Sequence, residues 1–515
     1  MNKMDARRKQ ILSLIYMVGL YIFSFLFEKL GAKAGGYLLV IALILVCFFL
    51  PFFAFLPVAI EKPLRARLSK GHVKNANGLW KVVIGYSFVT AIVLSVLMVT
   101  VVPEFLKNVL GLYNVGFSLP YLAPAFFFLA LSRALCMYFQ GKGSGLQTVL
   151  AAALMIIFSI VFSYVLGKPL AEYGQKVADL LGNVNFREQY LMVGISIGIG
   201  IGAFIAFVFL IFAYFISAKE GGRERHSIRM TEHKGDSTRI FVASFFPYFF
   251  FTIMMLLPCM LSLVMFFERY NDSSKAIVEL GKLTDKQFIP CAVLLLGLLS
   301  FVVLIVSQIN GWIRMEEIRQ ARAGFRIGLV WILIPTGFIS VSFVILEMWL
   351  VGVLFFAITL SYFFATLLWQ SGKRKSVLIS IFVSMITSMS SSFLISGMLT
   401  EAGNIIFLPA IVQMGTLFAC TSFFLVKHFR FVPDLSQGFL FPILSSAIAG
   451  VIMYILSMVI GNRNSFWGSS LILAIGFVCH LIICLVLQCG NDNEMINLPG
   501  GKLWMYIGNR LHLFH

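Results

Sequence analysis

Fourteen times between residues 11 and 489 the chain passes through an apolar run long enough to cross a bilayer and then breaks into a short polar or basic stretch. The runs lie near 11–28, 36–61, 80–103, 119–140, 146–167, 190–217, 240–266, 288–312, 327–346, 348–370, 377–398, 403–426, 437–461 and 468–489. A spanning helix needs roughly 20 mainly apolar residues. Inside lipid no water pairs with the backbone, so a spanning segment must satisfy its own N–H and C=O groups as a helix or a closed barrel. Runs of this length point to helices. The composition leaves little else: 60% of residues are hydrophobic and 12% are charged, where a soluble domain carries about 25% charged residues.

The loops give a direction. With the N-terminus in the cytoplasm, the cytoplasmic stretches hold 28 Lys and Arg, the outer stretches hold 11, and Arg133 lies within a span. Acids divide evenly, 11 on each side. Such an asymmetry places the basic loops inside. Both termini and the stretch 218–239 are therefore expected in the cytoplasm, in a multi-pass protein of the plasma membrane. The net charge of +18 is scattered in short clusters between spans, which excludes a nucleic-acid partner. The first apolar run follows a charged start but lacks a small-residue cleavage site, so it reads as a retained helix. The eight cysteines fall almost entirely in apolar runs with no CxxC pair, as packing residues do.

The chain also repeats itself. "VKNANGLWKVVIG" (73–85) and "IRQARAGFRIGLV" (318–330) agree in kind at an offset of 245, and "YFQGKGSGLQ" (138–147) and "LWQSGKRKSV" (368–377) align on Gln140 and Gln370 at an offset of 230. An even-numbered span precedes both copies of each. The expectation is an all-α polytopic membrane protein of about 14 transmembrane helices: two six-helix bundles in parallel repeat, plus two extra C-terminal helices. Residues 1–217 would form the first bundle, 218–239 a cytoplasmic linker, 240–430 the second bundle, and 431–515 the two added helices and a cytoplasmic tail. Parallel repeats of this kind place a substrate between the halves.

Ionisable groups inside a membrane are functional candidates, and this chain has few. Glu28, Glu61, Glu268, Glu347 and Glu401 sit at span ends, and no carboxylate lies mid-span. Arg133 is the deepest charge. It faces either a substrate phosphate or, by snorkelling, the interface. Arg65, Arg67, Arg314 and Arg319 ring the cytoplasmic ends of the second and eighth spans, where a guanidinium fork suits phosphate. In "PVAIEKPLRARL" (57–68), Pro57 removes a helix hydrogen bond. Glu61 would then act as a gate residue toward Arg314 or Arg319, or pair locally with Arg65. The hydroxyls of "TSMSSS" (387–392) are read as bonding back to their own helix, Gly194, Gly198 and Gly202 as a close-packing stripe, and His480 as packed or bonded to a carbonyl. No P-loop, nucleophile constellation, metal cluster or cofactor motif occurs, so no enzyme is expected.

"LGAKAGGYLLVIALIL…FLPVAIEKPLRARLSKGHVKNA" resembles the start of multidrug/oligosaccharidyl-lipid/polysaccharide (MOP) exporters of the stage V sporulation protein B and polysaccharide-biosynthesis type. "RALCMYFQG" resembles the end of their fourth span, and "IRQARAGFRIGLVWILIPTG" their eighth-to-ninth junction; the resemblance runs in order through most of residues 25–370. Glu61 stands where a serine is usual. The resemblance implies a flippase that carries a polyprenyl-pyrophosphate-linked oligosaccharide or a peptidoglycan precursor across the plasma membrane by alternating access, with the lipid-linked glycan and membrane lipids as partners. The alternatives are a cation-coupled multidrug exporter of the same superfamily and, in another class, a polytopic glycosyltransferase or polymerase. The first calls for mid-membrane acids. The second calls for a carboxylate motif in the long outer loops 168–189 and 267–287, whose acids and bases balance.

Overall fold

The computed structural model describes residues 32–182, 186–220, 234–269, 273–283, 289–398, 402–431, 435–460, 466–489 and 501–510, with Ile15, Val18, Gly19 and Ile22 before them. Among the described residues every regular element is helical. In chain order these are α1 (Ala32–Phe49), a π-helical turn π1 (Leu50–Ala54), α2 (Leu56–Ser69), α3 (Val73–Val99), α4 (Val101–Leu110), α5 (Tyr113–Gly141), α6 (Leu146–Leu181) and α7 (Phe186–Glu220). There follow α8 (Lys234–Arg269), α9 (Ser273–Leu283), α10 (Ile289–Arg314), α11 (Ile318–Ile345), α12 (Trp349–Gln370), α13 (Arg374–Met398) and α14 (Ala402–Phe429). A second π turn, π2 (Leu435–Leu440), leads into α15 (Phe441–Ile460), α16 (Phe466–Val486) and α17 (Gly501–Arg510).

Twelve of these segments are long and apolar enough to cross a membrane, and each overlaps one of the second to thirteenth expected spans. The fourteenth is represented by the shorter apolar stretch Ser470–Val486 of α16. The first, 11–28, lies outside the described residues apart from single positions. The protein is a multi-pass, all-helical membrane protein.

The expected outer loops are built differently from the sequence reading. Residues 168–181 are the end of α6, whose 36 residues run about 54 Å at helical rise, well beyond a hydrocarbon core of about 30 Å. The stretch 267–287 contains α9, whose Ala276, Ile277 and Leu280 are buried and which packs on α1. Loop residues were expected there because charges interrupt the apolar run. Charges end a span, but they do not end a helix.

The chain divides into two compact units, residues 1–293 and 294–515. In the first, α6 and α7 make the tightest pair. The small residues of one fit the small residues of the other: a side chain at Gly194 would lie 2.6 Å from the backbone of Gly167, and one at Gly198 or Gly202 would collide with Ser163 or Ser159. The glycine stripe is a packing seam, as expected. Helix α5 is the central helix of this unit, two thirds buried along its apolar window, and α8 packs on α2, α3 and π1.

In the second unit α11 and α12 are the most buried, and α15 and α16 pack on α11. His480 of α16 is fully buried, with its Nε2 3.1 Å from the Ile334 carbonyl and its ring stacked on Phe338. The hydroxyls of α13 bond largely to backbone carbonyls. Ser391 and Ser392 donate back to the Ser388 carbonyl, Thr387 donates to the carbonyls of Val383 and Ser384, and Ser388 donates across to the Pro409 carbonyl of α14 at 2.9 Å.

The repeat is written in the backbone. After α2, Gly71 takes φ 75°, with hydrogen bonds from the N–H of Gly71 to Leu68, His72 to Arg67 and Val73 to Gly71. After α10, Glu316 takes φ 62°, with bonds from Glu316 to Ile313, Glu317 to Trp312 and Ile318 to Glu316. Every pair is offset by 245. These are helix-ending turns that place a left-handed residue just past the helix. The second match needs a correction of one residue. Gly143 bonds to Gln140 and Ser144 to Phe139, while Gly372 bonds to Trp369 and Lys373 to Leu368, so the backbone offset is 229 and Gln140 corresponds to Trp369.

Glu316 occupies a left-handed position that its counterpart fills with glycine, a conformation that costs a side-chain-bearing residue about 1 kcal/mol or more. Glu316→Gly is expected to stabilise the protein by about 0.5–1 kcal/mol, read as a higher melting temperature in detergent. The same change at exposed Glu317, where φ is −81°, should not.

Candidate functional site

The second span breaks in its middle. Residues 50–54, "LPFFA", form π1, and α2 then starts with Pro57 in its first turn, a position that proline favours. In π geometry each N–H bonds five residues back, so the carbonyl that faces position 57 is that of Phe52. Pro57 has no N–H to give it. The Tyr86 hydroxyl of α3 takes the vacancy, donating to Phe52 at 3.4 Å, a long and weak bond for a hydroxyl. The break is therefore above Pro57, with Pro51 inside it. Aromatic rings wedge it: Phe55 stacks on Tyr248 at 5.6 Å, Phe52 meets Phe249 edge-on at 5.3 Å, and Tyr86 meets Phe241 and Phe245 at 5.1 and 5.3 Å. Such pairs contribute about 0.5–1.5 kcal/mol each beyond their buried area, so the break is a held shape.

Below it, Glu61 pairs with Arg65 one turn on, at 3.2 Å. Arg65 also donates to the Gln140 carbonyl at the end of α5, at 3.3 Å. The side chains are 21% and 43% exposed, and an exposed pair of this spacing contributes about 0.5 kcal/mol or less. Arg67 is turned the other way. It is 7% exposed, on the packed face of α2 with Ile60 and Leu64.

Arg133 lies half-buried on α5 with its guanidinium 5.7 Å from the centre of the Phe49 ring. Phe49 precedes Arg65 by 16 residues, while Arg133 precedes Gln140 by only seven. The guanidinium therefore points from its Cα toward the break, away from the helix ends that Arg65 and Gln140 tie together. Helical side chains lean toward their own N-terminus, and α5 runs in the direction that aims Arg133 inward. Snorkelling toward the near interface is not its geometry. Among the described residues no carboxylate pairs with it.

The first unit thus brings together Glu61, Arg65, Gln140, Arg133 and Phe49 around the broken span. Arg314 and Arg319 lie in the second unit, both exposed, at the end of α10 and the start of α11. The tie between helix ends recurs there. Asn310 of α10, the counterpart of Arg65 at the 245 offset, donates to the Gln370 side chain of α12 at 3.3 Å. Among the described residues no group of three or more His, Cys, Asp or Glu is placed to hold a metal ion. Phe49 and Tyr86 were not singled out by sequence. The signal for Tyr86 was available, a polar-tipped aromatic in mid-span opposite two prolines. None marked Phe49 among so many phenylalanines.

No protein-family model matches the sequence, and no curated relative does. Solved structures do. An inward-facing multidrug resistance MATE family transporter of the MOP superfamily matches over 82% of this chain and 94% of its own, with a TM-score of 0.57 at 10% identity. A MOP superfamily transporter from Pyrococcus furiosus matches over 82% and 94%, with a TM-score of 0.54 at 10% identity. The lipid II flippase MurJ, in an inward closed conformation, matches over 92% of this chain and 97% of its own, with a TM-score of 0.55 at 13% identity. The chain has the MOP-superfamily fold. In this MOP-fold chain the sequence "FLPVAIEK" marks the end of the π break and the start of α2, and "YFQG" marks the end of α5 that receives Arg65.

Proposed function

We propose that this MOP-fold protein is a transporter that moves a polyprenyl-pyrophosphate-linked oligosaccharide or peptidoglycan precursor across the plasma membrane by alternating access. The observation that carries the reading is Arg133. A guanidinium aimed into the interior of a spanning bundle, with no carboxylate beside it among the described residues, is matched to an anionic substrate group. A drug cation would be repelled by it, and among the described residues no mid-span carboxylate offers a cation a site. Arg65 would serve the pyrophosphate at the mouth, with Arg314 and Arg319 at the matching end of the second unit. Pro57 and Glu61 would move with the broken span, Glu61 opening and closing its pair with Arg65.

The test is reconstitution in vesicles with a fluorescent polyprenyl-pyrophosphate oligosaccharide whose exposure to an impermeant quencher reports its leaflet. Protein-dependent equilibration of the lipid is expected. Efflux of an organic cation driven by an imposed proton or sodium gradient, without movement of the lipid, would establish the multidrug alternative. The cytoplasmic placement of the linker and both ends is tested on intact cells with a Ser227→Cys probe in a background free of native thiols. It is expected to stay unlabelled by an impermeant reagent, and labelling from outside would invert the topology.

A further inference from the structure

The second unit gathers positive charge at one place. The turn between α12 and α13 carries Lys373, the first turn of α13 carries Arg374 and Lys375, and the last turn of α14 carries Lys427 and His428, with Arg430 next. One contact ties the two helix ends together, the Ser376 hydroxyl 2.8 Å from His428 Nε2, and Lys373 and Lys427 both stand within electrostatic reach of that ring. Gly372, at φ 87°, makes the tight turn that brings Lys373 there. Arg374 turns aside and lies 5.7 Å over the Trp369 ring. Among the described residues no carboxylate pairs with Lys373, Lys375, Lys427 or Arg430. Three of these cations sit at the start of α13, the end at which a helix favours anions, so they oppose one another and the backbone alike.

What lies beside the charges identifies the ligand. On α13, Lys375 shares a helix face with Ile379, Phe382 and Ile386, all exposed. On the adjoining α14, Lys427 shares a face with exposed Phe423 and lies next to exposed Val426, and Arg430 follows just past the helix end. Two neighbouring helices thus present the same pattern, an apolar wall that ends in cations. Orientation alone asks only for basic residues in a loop; it does not ask them to continue a lipid-facing stripe or to flank a hydroxyl–imidazole pair.

We propose that the ends of α12, α13 and α14 form a binding site for an anionic phospholipid, its phosphate held by Lys373, Lys375, Lys427, His428 and the Ser376 hydroxyl, and its acyl chains lying on the α13–α14 wall. The site lies wholly within the second unit and does not depend on the substrate proposed above.

The experiment is native mass spectrometry of the intact protein, counting bound phosphatidylglycerol against phosphatidylcholine. Wild type is expected to retain phosphatidylglycerol selectively. Near a membrane surface each basic residue contributes about five-fold in affinity for anionic lipid, so Lys373→Ala with Lys427→Ala should weaken retention about 30-fold. Lys373→Arg with Lys427→Arg should keep it. Lys168→Ala with Lys176→Ala, which removes the same charge from exposed positions on α6, should leave it unchanged. Equal loss in the α6 variant, or equal retention of phosphatidylcholine by wild type, would reduce the cluster to general charge and overturn the site. Displacement of the lipid by soluble glycerol phosphate alone would show a free-phosphate site, and would overturn the lipid.

Discussion

Replacing Gly198 with alanine is expected to disrupt the α6–α7 pair, while the same replacement two residues on, at Gly200, leaves it intact. Both glycines lie on α7 in "GISIGIGIG" and look alike in sequence. A methyl group at 198 would run into the backbone nitrogen, Cα and hydroxyl of Ser163. Backbone cannot rotate out of the way, so the helices must separate. Overpacking usually costs 1–3 kcal/mol and occasionally more, and a backbone-on-backbone collision belongs at about the top of that range. At Gly200 the nearest atom is 3.9 Å away. There alanine makes only an ordinary van der Waals contact, with the backbone nitrogen of Ala125, and gains about 1 kcal/mol of helix propensity over glycine. The two substitutions should therefore move the melting temperature in detergent in opposite directions. A drop of equal size in both would mean that the seam does not depend on close approach.

The spans were legible because lipid leaves the chain few ways to be apolar for twenty residues. The repeat was legible where backbone and side chain agree, as at Ala76 and Ala321, both buried, and at Trp80 and Phe325, both buried aromatics. It slipped by one residue where the match rested on a side-chain name. Gln140 takes part through its main-chain carbonyl and Gln370 through its side chain, so like residues stand at unlike positions. The π turn was not legible. Pro57 was read as the bend, yet hydropathy does not distinguish a π turn from an α turn, and the carbonyl left open is that of Phe52, answered by Tyr86 from another helix. The direction of Arg133 was also beyond the sequence, because it depends on which ring stands within reach across the bundle.

That direction makes Arg133→Ala the substitution with the largest expected effect on transport. Hydrogen bonds to a charged partner contribute about 1.5–3 kcal/mol, so losing the guanidinium from a phosphate contact should slow movement of a pyrophosphate-linked lipid by about 10- to 100-fold. Arg133→Lys keeps the charge and loses the planar fork, and is expected to fall between. Stability should separate this role from a structural one. The contact with Phe49 contributes about 0.5–1 kcal/mol or somewhat more when desolvated, and a cation without a carboxylate partner is costly to hold inside a membrane. The alanine variant should therefore melt at the wild-type temperature or above it while transport collapses. Glu61→Gln, which touches only a partly exposed pair within one helix, should change transport by less than about three-fold. Transport at the wild-type rate in Arg133→Ala, or a loss that tracks an equal loss of melting temperature, would take this arginine out of the substrate's path.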